Sequence, residues 1–550
     1  MIPPTMKITI AQIRTLPTRL TENVSIVRDA IDAAEREGSD LVVFPELTIP
    51  GYGCLDHFER ESFIRRNLSA RDEVAAHTRG KHCAAIVGFV DRDANAPRTY
   101  YNSAALVADG RVLDVVDKTL LPNYDIFWES KYFHSARGRH PVELRGRRLG
   151  IEICEDLWDE HYPIKVSSEL VSAGADALIN ISASPFSIGK LQRRRALVST
   201  VVDEHRVPFV YVNLVGAQDG YEGETVFDGR SFAVSARGHT IASARDFAEE
   251  RLTFDLDTED RLDYRPPEPV EELHDALVLG IREYFARNGF HRAYLGLSGG
   301  IDSAVAAALA VAALGCDHVV GVTMPSHVTS EETRSDALAL ADRLGMRCEV
   351  RSIRSLFDAW RDGATGAREG LTQGVTAQNV QARLRGMILM EYSNEDPGAI
   401  VISTGNKTEL ALGYCTLYGD MCGGLAAISD VSKHRVYELA RHINARHGRE
   451  VIPRSTIERA PTAELEPNQT DAANLPADYD LLSPLVEEIV ETEATREELG
   501  LRYPQSVVDA TIRMIYRSEY KRRQAAPGIR VSSKAFGSGR RFPIDGLPPV

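Results

Sequence analysis

Cysteine is scarce: seven in 550 residues, at positions 54, 83, 154, 316, 348, 415 and 422, with no CxxC pair among them. That spacing excludes a zinc knuckle and a disulfide framework, and the odd count leaves at least one thiol unpaired. Long apolar runs are missing too. The longest, Ala304 to Leu314, falls far short of the ~20 residues a bilayer-crossing helix needs. The opening segment, MIPPTMKITIAQIRT, has no apolar stretch followed by a small-residue cleavage site, so no secretory signal is expected. Basic residues are outnumbered, 64 against 79 acids, for a net charge of −15. Such a balance runs against coating nucleic acid, where phosphate neutralisation dominates affinity. The expectation is a soluble, cytoplasmic protein whose partners are neither nucleic acid nor membrane.

Hydrophobic content of 43% and charged content of 26% are those of a globular protein. The chain is too long for one core, since cores stop growing at about 250–300 residues. Its first half alternates β-branched runs with helical stretches. Strands are predicted at Lys7–Ala11, Leu41–Phe44, Ala84–Phe89, Val112–Val116, Leu149–Ile153, Ala177–Ile181 and Phe209–Asn213, with helices at Val24–Glu37 and Ser168–Ala173. Ser231–Ser235 and Thr240–Ser243 read as a hairpin. An acidic stretch, Asp255 to Glu272, carries Pro266, Pro267 and Pro269 and suits a domain boundary, giving domains 1–258 and 259–550. A helix over Val270–Asn288 then opens a second α/β series, with strands Ala293–Leu297, Val319–Val322, Arg347–Val350 and Ala399–Ser403. Residues 461–479 read as a loop, and the Gly/Ser/Arg-rich tail past Gln524 as a segment that orders only against a partner or ligand. Strand–helix alternation in both halves predicts layered α/β architecture.

The sharpest local signal is Leu297-Ser298-Gly299-Gly300-Ile301-Asp302-Ser303, between a strand and an Ala-rich helix. Glycines let the backbone approach an anion, and a helix start supplies free N–H groups. Asp302 would repel a phosphate, and makes sense there if it holds a bridging divalent cation. A bare Gly-Gly turn is usually only a turn, but the serines and the acid point to function. The site lacks GxxxxGK[ST], so it is not a Walker loop. In the first half, Cys154 stands right after a strand, where a sharp turn can expose a nucleophile. A lone cysteine there is more often a core residue. Glu46 and Lys118, however, also follow strands. If those strands are parallel neighbours in one sheet, the three side chains converge at its C-terminal edge, as base, oxyanion donor and thiol.

The segment SGGIDS resembles the pyrophosphate loop of the N-type ATP pyrophosphatases, which cleave ATP between the α and β phosphates. The loop alone leaves open amide-forming synthetases, argininosuccinate synthetase and tRNA-thiolating enzymes. Gln378-Asn379-Val380-Gln381-Ala382-Arg383-Leu384-Arg385-Gly386, Ser403-Thr404-Gly405-Asn406-Lys407-Thr408-Glu409, Tyr418-Gly419-Asp420-Met421 and Glu519-Tyr520-Lys521-Arg522-Arg523-Gln524 resemble NAD synthetase signatures. The Glu46, Lys118, Cys154 set resembles the nitrilase-superfamily triad. Around it, Lys118-Thr119-Leu120-Leu121-Pro122-Asn123-Tyr124-Asp125 and Ser182-Ala183-Ser184-Pro185-Phe186 are similar to the glutaminase domain of glutamine-dependent NAD synthetases. The resemblance implies an αββα sandwich followed by a parallel-sheet ATP pyrophosphatase domain, and amidation of deamido-NAD with glutamine, ATP and Mg²⁺. It implies that Glu46, Lys118, Cys154 and Glu129 are catalytic and that Tyr124, Ser184 and Lys190 bind glutamine. ATP would lie on Gly296, Leu297, Ser298, Gly299, Gly300, Ile301, Asp302, Ser303, Thr404, Lys433 and Thr462. Deamido-NAD would face Asn379, Glu409 and Lys521, and the metal Asp302 and Glu409. A homo-oligomer, at least a dimer through the synthetase domains, is also implied. Ammonia-using relatives carry Lys and Asp where Leu417 and Gly424 stand here. Two other readings are weighed: a glutamine-fed ligase with another acceptor, which the Asn379 and Lys521 segments oppose, and a non-catalytic scaffold, which the intact polar sets oppose.

Overall fold

The computed structural model describes residues 5–96, 98–363, 372–467 and 469–546. They form two compact units. One holds the residues up to Gly220 with Thr225–Pro267; the other holds Tyr221–Glu224 and the described residues from Glu268 onward.

The first unit's early strands are β1 (Lys7–Gln12), β2 (Leu41–Val43), β3 (Ala84–Arg92), β4 (Tyr100–Ala108) and β5 (Arg111–Asp117). Then follow β6 (Val142–Leu144), β7 (Arg147–Ile153), β8 (Ala177–Ser182), β9 (Phe209–Asn213), β10 (Val215–Asp219), β11 (Gly223–Asp228), β12 (Phe232–Val234), β13 (Thr240–Ser243) and β14 (Glu250–Asp255). Two six-stranded sheets result, ordered β14-β1-β2-β3-β4-β5 and β13-β12-β9-β8-β7-β6. Ile8, Ile10, Val43, Ile86 and Leu106 of the first pack with Ile151, Ile153, Ile179 and Val212 of the second in one buried cluster. Because strand side chains alternate between faces, the other faces are also apolar and need helices. Helices α1 (Leu20–Arg36) and α2 (Glu61–His77) bury Val27, Ile31, Ile64 and Val74 on the first sheet. Helices α3 (Val166–Ser172) and α4 (Lys190–His205) bury Leu170, Val198 and Val202 on the second. The unit is an αββα sandwich.

The predicted strands and the hairpin are all present. Tyr100–Ala108 went unpredicted because Asn, Ser and Ala interrupt it, residues with little strand preference; full burial on both faces holds it in the sheet. The neighbour relation expected for the site is not found. Strand β2 is separated from β5 by β3 and β4, and β7 belongs to the other sheet.

In the second unit, α5 (Pro269–Asn288) leads into β15 (Arg292–Gly296) and α6 (Ile301–Leu314). The series continues with β16 (Val319–Thr323), α7 (Glu331–Leu344), β17 (Arg347–Val350), α8 (Arg354–Gly363), α9 (Gly374–Glu395), β18 (Ala399–Ser403), α10 (Lys407–Leu412), β19 (Leu425–Ala426), α11 (Lys433–His447) and β20 (Gly528–Arg530). Strands run side by side in the order β20-β19-β18-β15-β16-β17, every neighbouring pair parallel. The chain leaves β15 for β16 and β17 and then crosses to β18 on its other side. The end of β15 is therefore a switch point, where open α/β sheets bind ligands. The apolar run Ala304–Leu314 lies in α6, whose residues from Ser303 to Ala310 are buried. Among the described residues no helix is long and apolar enough to cross a membrane.

The C-terminal tail corrects the sequence expectation. Residues of this chain order it: Asp430 accepts from the Val531 and Ser532 amides at 2.8 Å each and from the Ser532 hydroxyl at 2.7 Å. The buried Lys407 ammonium lies 3.0 Å from Asp430 and donates to Glu491 at 2.7 Å, and it reaches the Lys534 carbonyl at 3.1 Å. Composition alone did not show the tail's anchor, which lies a hundred residues upstream. Asp430→Ala should lower stability by about 3 kcal/mol, the typical loss when one partner of a buried pair is removed. It should also speed tryptic cleavage at Arg530 and Lys534, read by urea denaturation and mass spectrometry of the digest.

Candidate active sites

Glu46 sits three residues past β2 on a turn whose Leu47 is left-handed (φ 46°). The turn lies so close over β3 that a Cβ on Gly88 would come within 2.4 Å of the Leu47 nitrogen. Lys118 follows β5 directly. Its ammonium, with no exposed surface, donates to Glu46 Oε1 at 2.7 Å and to Glu129 Oε1 at 2.8 Å. Asn102 Nδ2 of β4 also donates to Glu46 Oε1 at 2.7 Å, and the Ala183 amide to Oε2 at 2.8 Å. Tyr52 donates its hydroxyl to Glu129 Oε1 at 3.1 Å, while Glu129 Oε2 finds no partner among the described residues.

Cys154 follows β7 directly and is left-handed, with φ 47°. One carboxylate fixes this elbow to the lysine loop. Asp156 accepts from the Ile153 amide at 3.0 Å and from the Thr119 and Leu120 amides at 3.0 and 2.8 Å. The three residues thus stand on two sheets, not at one sheet's edge, with Glu46 and Lys118 near enough to the sulfur to act on it electrostatically. Burial pushes the Cys154 thiol well up, the Glu46 charge adds to this, and Lys118 offsets part of it. At neutral pH the resting sulfur is a thiol and needs a base at the moment of attack. Burial works against the Lys118 ammonium, yet Glu129 and Glu46 raise its pKa well above the usual lysine value. Burial lifts Glu129 to about 7 against the pull of Lys118, so this carboxyl can give or take a proton near neutrality.

Tyr124 donates to both oxygens of Glu155 at 3.0 Å, and Tyr162 to one at 3.1 Å. Lys190 acts on the same carboxylate electrostatically, and its ammonium sits 5.5 Å above the Trp158 ring. Ser184 is buried; its carbonyl accepts from Arg194 at 2.8 Å, and Arg194 is paired with Asp228 at 2.7 Å. Asn102, Glu155 and Asp156 were missed. Only the adjacency of Glu155 and Asp156 to Cys154 could have signalled them.

In the second unit one cavity of about 520 Å³ is lined by Gly296, Leu297, Ser298, Gly300, Ile301, Asp302, Ser303, Asn379, Thr404, Glu409, Lys433, Thr462 and Lys521. Of the nucleotide residues expected from sequence, Gly299 alone is not part of the lining. It is left-handed at φ 80°, and a Cβ there would fall 2.1 Å from the Thr333 carbonyl oxygen. The loop is braced by its serines: Ser303 Oγ donates to the Gly300 carbonyl at 3.0 Å and Ser298 Oγ accepts from the Gly300 amide at 3.1 Å. Lys433 donates to Asp302 and, at 3.1 Å, to Glu409. Asn406 Nδ2 donates to Asp302 at 2.9 Å. Burial raises Glu409 to about 8, with Lys433 opposing. Lys521 donates to the Gly413 and Cys415 carbonyls at 2.8 and 2.7 Å, and Asn379 Oδ1 accepts from Thr416 at 2.8 Å. Thr462 donates to the Gln469 carbonyl at 2.7 Å.

Among the described residues no three His, Cys, Asp or Glu side chains group as a metal site. Asp302 and Glu409 nonetheless fit Mg²⁺, which takes one or two carboxylates and completes its shell with phosphate oxygens and water. Both turn hard oxygen donors on one cation, Lys433, in a cavity with a phosphate-type loop.

The carbon–nitrogen hydrolase family model matches residues 7–265, and the NAD synthase model residues 273–525. A glutamine-dependent NAD(+) synthetase of Thermotoga maritima is 38% identical over 98% of each chain. Another, from Acinetobacter baylyi, is 36% identical over 98% of each. The solved structure of glutamine-dependent NAD+ synthetase from Acinetobacter baumannii in complex with ADP aligns at TM-score 0.78 and 33% identity over 98% of both chains. Two enzyme domains, one of carbon–nitrogen hydrolase type and one of NAD synthase type, are thus joined in one polypeptide. The chain belongs to the glutamine-dependent NAD(+) synthetases, and it is an enzyme.

Glu152, on β7 two residues before the thiol, is wholly buried, accepting from Ser167 at 2.7 Å and Asn180 at 3.0 Å. Burial raises its carboxyl from 4.5 to about 7, against those two bonds. The folded protein therefore keeps a proton that the unfolded chain releases, and stability falls as pH rises through this window. Glu152→Gln is neutral throughout. Between pH 5 and 8 the wild type should lose on the order of 3 kcal/mol more than this variant in urea denaturation. Identical pH slopes would mean that Glu152 is ionised in the fold.

Proposed function

We propose that this enzyme amidates deamido-NAD to NAD with ATP and with ammonia drawn from glutamine. Two assemblies support the reading: Lys118 fixed between Glu46 and Glu129 beside an elbow cysteine, and the expected nucleotide residues gathered on one cavity.

In the glutaminase domain, 1–258, Tyr124, Ser184 and Lys190 bind glutamine, whose zwitterionic end needs donors and acceptors. Glu46 takes the Cys154 proton as sulfur attacks the side-chain carbonyl, and Lys118 donates to the oxyanion. Glu129 holds the lysine. The proton passes to the departing nitrogen, ammonia leaves, and water hydrolyses the thioester to glutamate, freeing the thiol.

In the synthetase domain, 259–550, ATP lies on Gly296 to Ser303 with Thr404, Lys433 and Thr462, and deamido-NAD faces Asn379, Glu409 and Lys521. Its carboxylate attacks the α-phosphorus, pyrophosphate departs into the glycine loop, and ammonia displaces AMP from the adenylate. Asp302 and Glu409 would hold Mg²⁺, which when bound neutralises phosphate charge. Ammonia must stay out of bulk water, where it is mostly ammonium and has no lone pair to attack with. The enzyme works in the cytoplasm as a homo-oligomer, at least a dimer through its synthetase domains, without nucleic acid or membrane partners.

Cys154→Ala should reduce glutamine-supported NAD formation by at least about 1000-fold and leave synthesis from ammonium salts largely intact. Asp302→Ala should stop synthesis from either nitrogen source. Both are read by NAD formation and AMP release with each donor. Loss of both activities in the cysteine variant would make Cys154 structural, and a working Asp302→Ala would remove the aspartate from the metal role.

A further inference from the structure

Four cationic side chains line the cavity of the second unit: Arg385, Lys433, Arg459 and Lys521. Three are already engaged. Lys433 is bridged to Asp302 and Glu409, Arg459 pairs with Asp336 and Glu332, and Lys521 donates to two carbonyls. Arg385 differs. Its Nε donates to the Met324 carbonyl at 3.2 Å, and among the described residues no carboxylate pairs with its guanidinium. That bond pins the stem and leaves the two terminal nitrogens as an unfilled fork.

The helix aims this fork. Val375, Asn379, Ala382, Arg385 and Leu389 of α9 all line the cavity, the three-and-four spacing of one helical face. On that stripe Arg385 carries the only charge. Met324, which holds it, follows β16, next to the strand that feeds the glycine loop. Crowding by the cavity wall makes the bare guanidinium costly, enough for burial to bring its pKa down to about 10 while the Glu464 charge opposes. A half-buried guanidinium with no carboxylate partner among the described residues is left free to take an anion that arrives with the ligand. A planar fork of N–H donors matches two oxygens of one phosphoryl group.

We propose that Arg385 is a binding residue that grips a phosphoryl group of a nucleotide in this cavity through its two terminal nitrogens. The proposal rests on the nucleotide-site reading above. Phosphoryl oxygens come with ATP or with the pyrophosphate bridge of deamido-NAD, and separate titrations tell the two apart.

The test is calorimetric titration of the full-length protein with ATP plus Mg²⁺ and, separately, with deamido-NAD, for the wild type, Arg385→Gln and Arg385→Lys. The expected result is a loss of about tenfold or more in affinity for one nucleotide with the glutamine variant, an unchanged melting temperature, and partial recovery with lysine, which keeps the charge but not the fork. The nucleotide that weakens names the source. Wild-type affinities for both in Arg385→Gln would overturn the proposal, as would an equal loss of both accompanied by a lower melting temperature, which marks a structural role. A wild-type protein that binds neither nucleotide would instead overturn the nucleotide-site reading.

Discussion

One ammonium group that water does not reach organises the centre of the first unit. A lone cation there would cost several kcal/mol in lost hydration, and the arrangement stands only because two carboxyl groups close on it. Lys118 is wholly buried and contacts Glu46 and Glu129 at 2.7 and 2.8 Å. Two carboxylates exceed what one lysine neutralises, so the surplus is met by a proton: Glu129 keeps its own up to about pH 7. The Cys154 thiolate would bring another negative charge into the same enclosure. Burial and the Glu46 charge outweigh the help from Lys118, so the resting sulfur keeps its proton.

The second unit contains the same device with a different outlook. Lys433 is buried and spans Asp302 and Glu409, and Glu409 again rises, to about 8. Here all three groups line a cavity. Asp302 sits in the first turn of α6, where the helix dipole favours negative charge. Phosphates brought to that helix start would meet a carboxylate, and the Lys433 ammonium beside it keeps the local charge from becoming prohibitive. In the first unit the bridge is closed by Asn102 and the Ala183 amide. In the second, Asn406 Nδ2 donates to Asp302 in a similar way, but the bridge faces the cavity.

The sequence displayed the strand ends better than the sheet that joins them. Runs such as Leu41–Val43, Arg111–Asp117 and Arg147–Ile153 announce themselves by β-branched residues, and Glu46, Lys118 and Cys154, within three residues of their ends, stand out against them. Pairing was another matter. Glu46, Lys118 and Cys154 were expected along the edge of one sheet, and the structure splits them between two, because sheet membership depends on which apolar faces pack together and leaves no local trace. Asn102 escaped notice for the related reason that its strand, Tyr100–Ala108, is held by burial instead of propensity. The ordered tail escaped because its anchors, Lys407, Asp430 and Glu491, are far away in sequence.

The positions that could be read share a geometric cause. Lys118, Cys154 and Thr404 each occupy the first residue past a strand, and Ser298 the second past β15. A strand's last residue is fixed by hydrogen bonds to its neighbours, so a side chain one step beyond is aimed by the whole sheet, with only its own rotamer left to set. One step beyond is also where the alternating pleat ends and a residue can leave strand geometry. Cys154 does so at φ 47° and Gly299, inside the loop after β15, at φ 80°. Sheets therefore supply precision and the first turn after them supplies direction. Both candidate sites use that division, so a buried sulfur in one unit and a glycine loop in the other stand at equivalent places in two different folds.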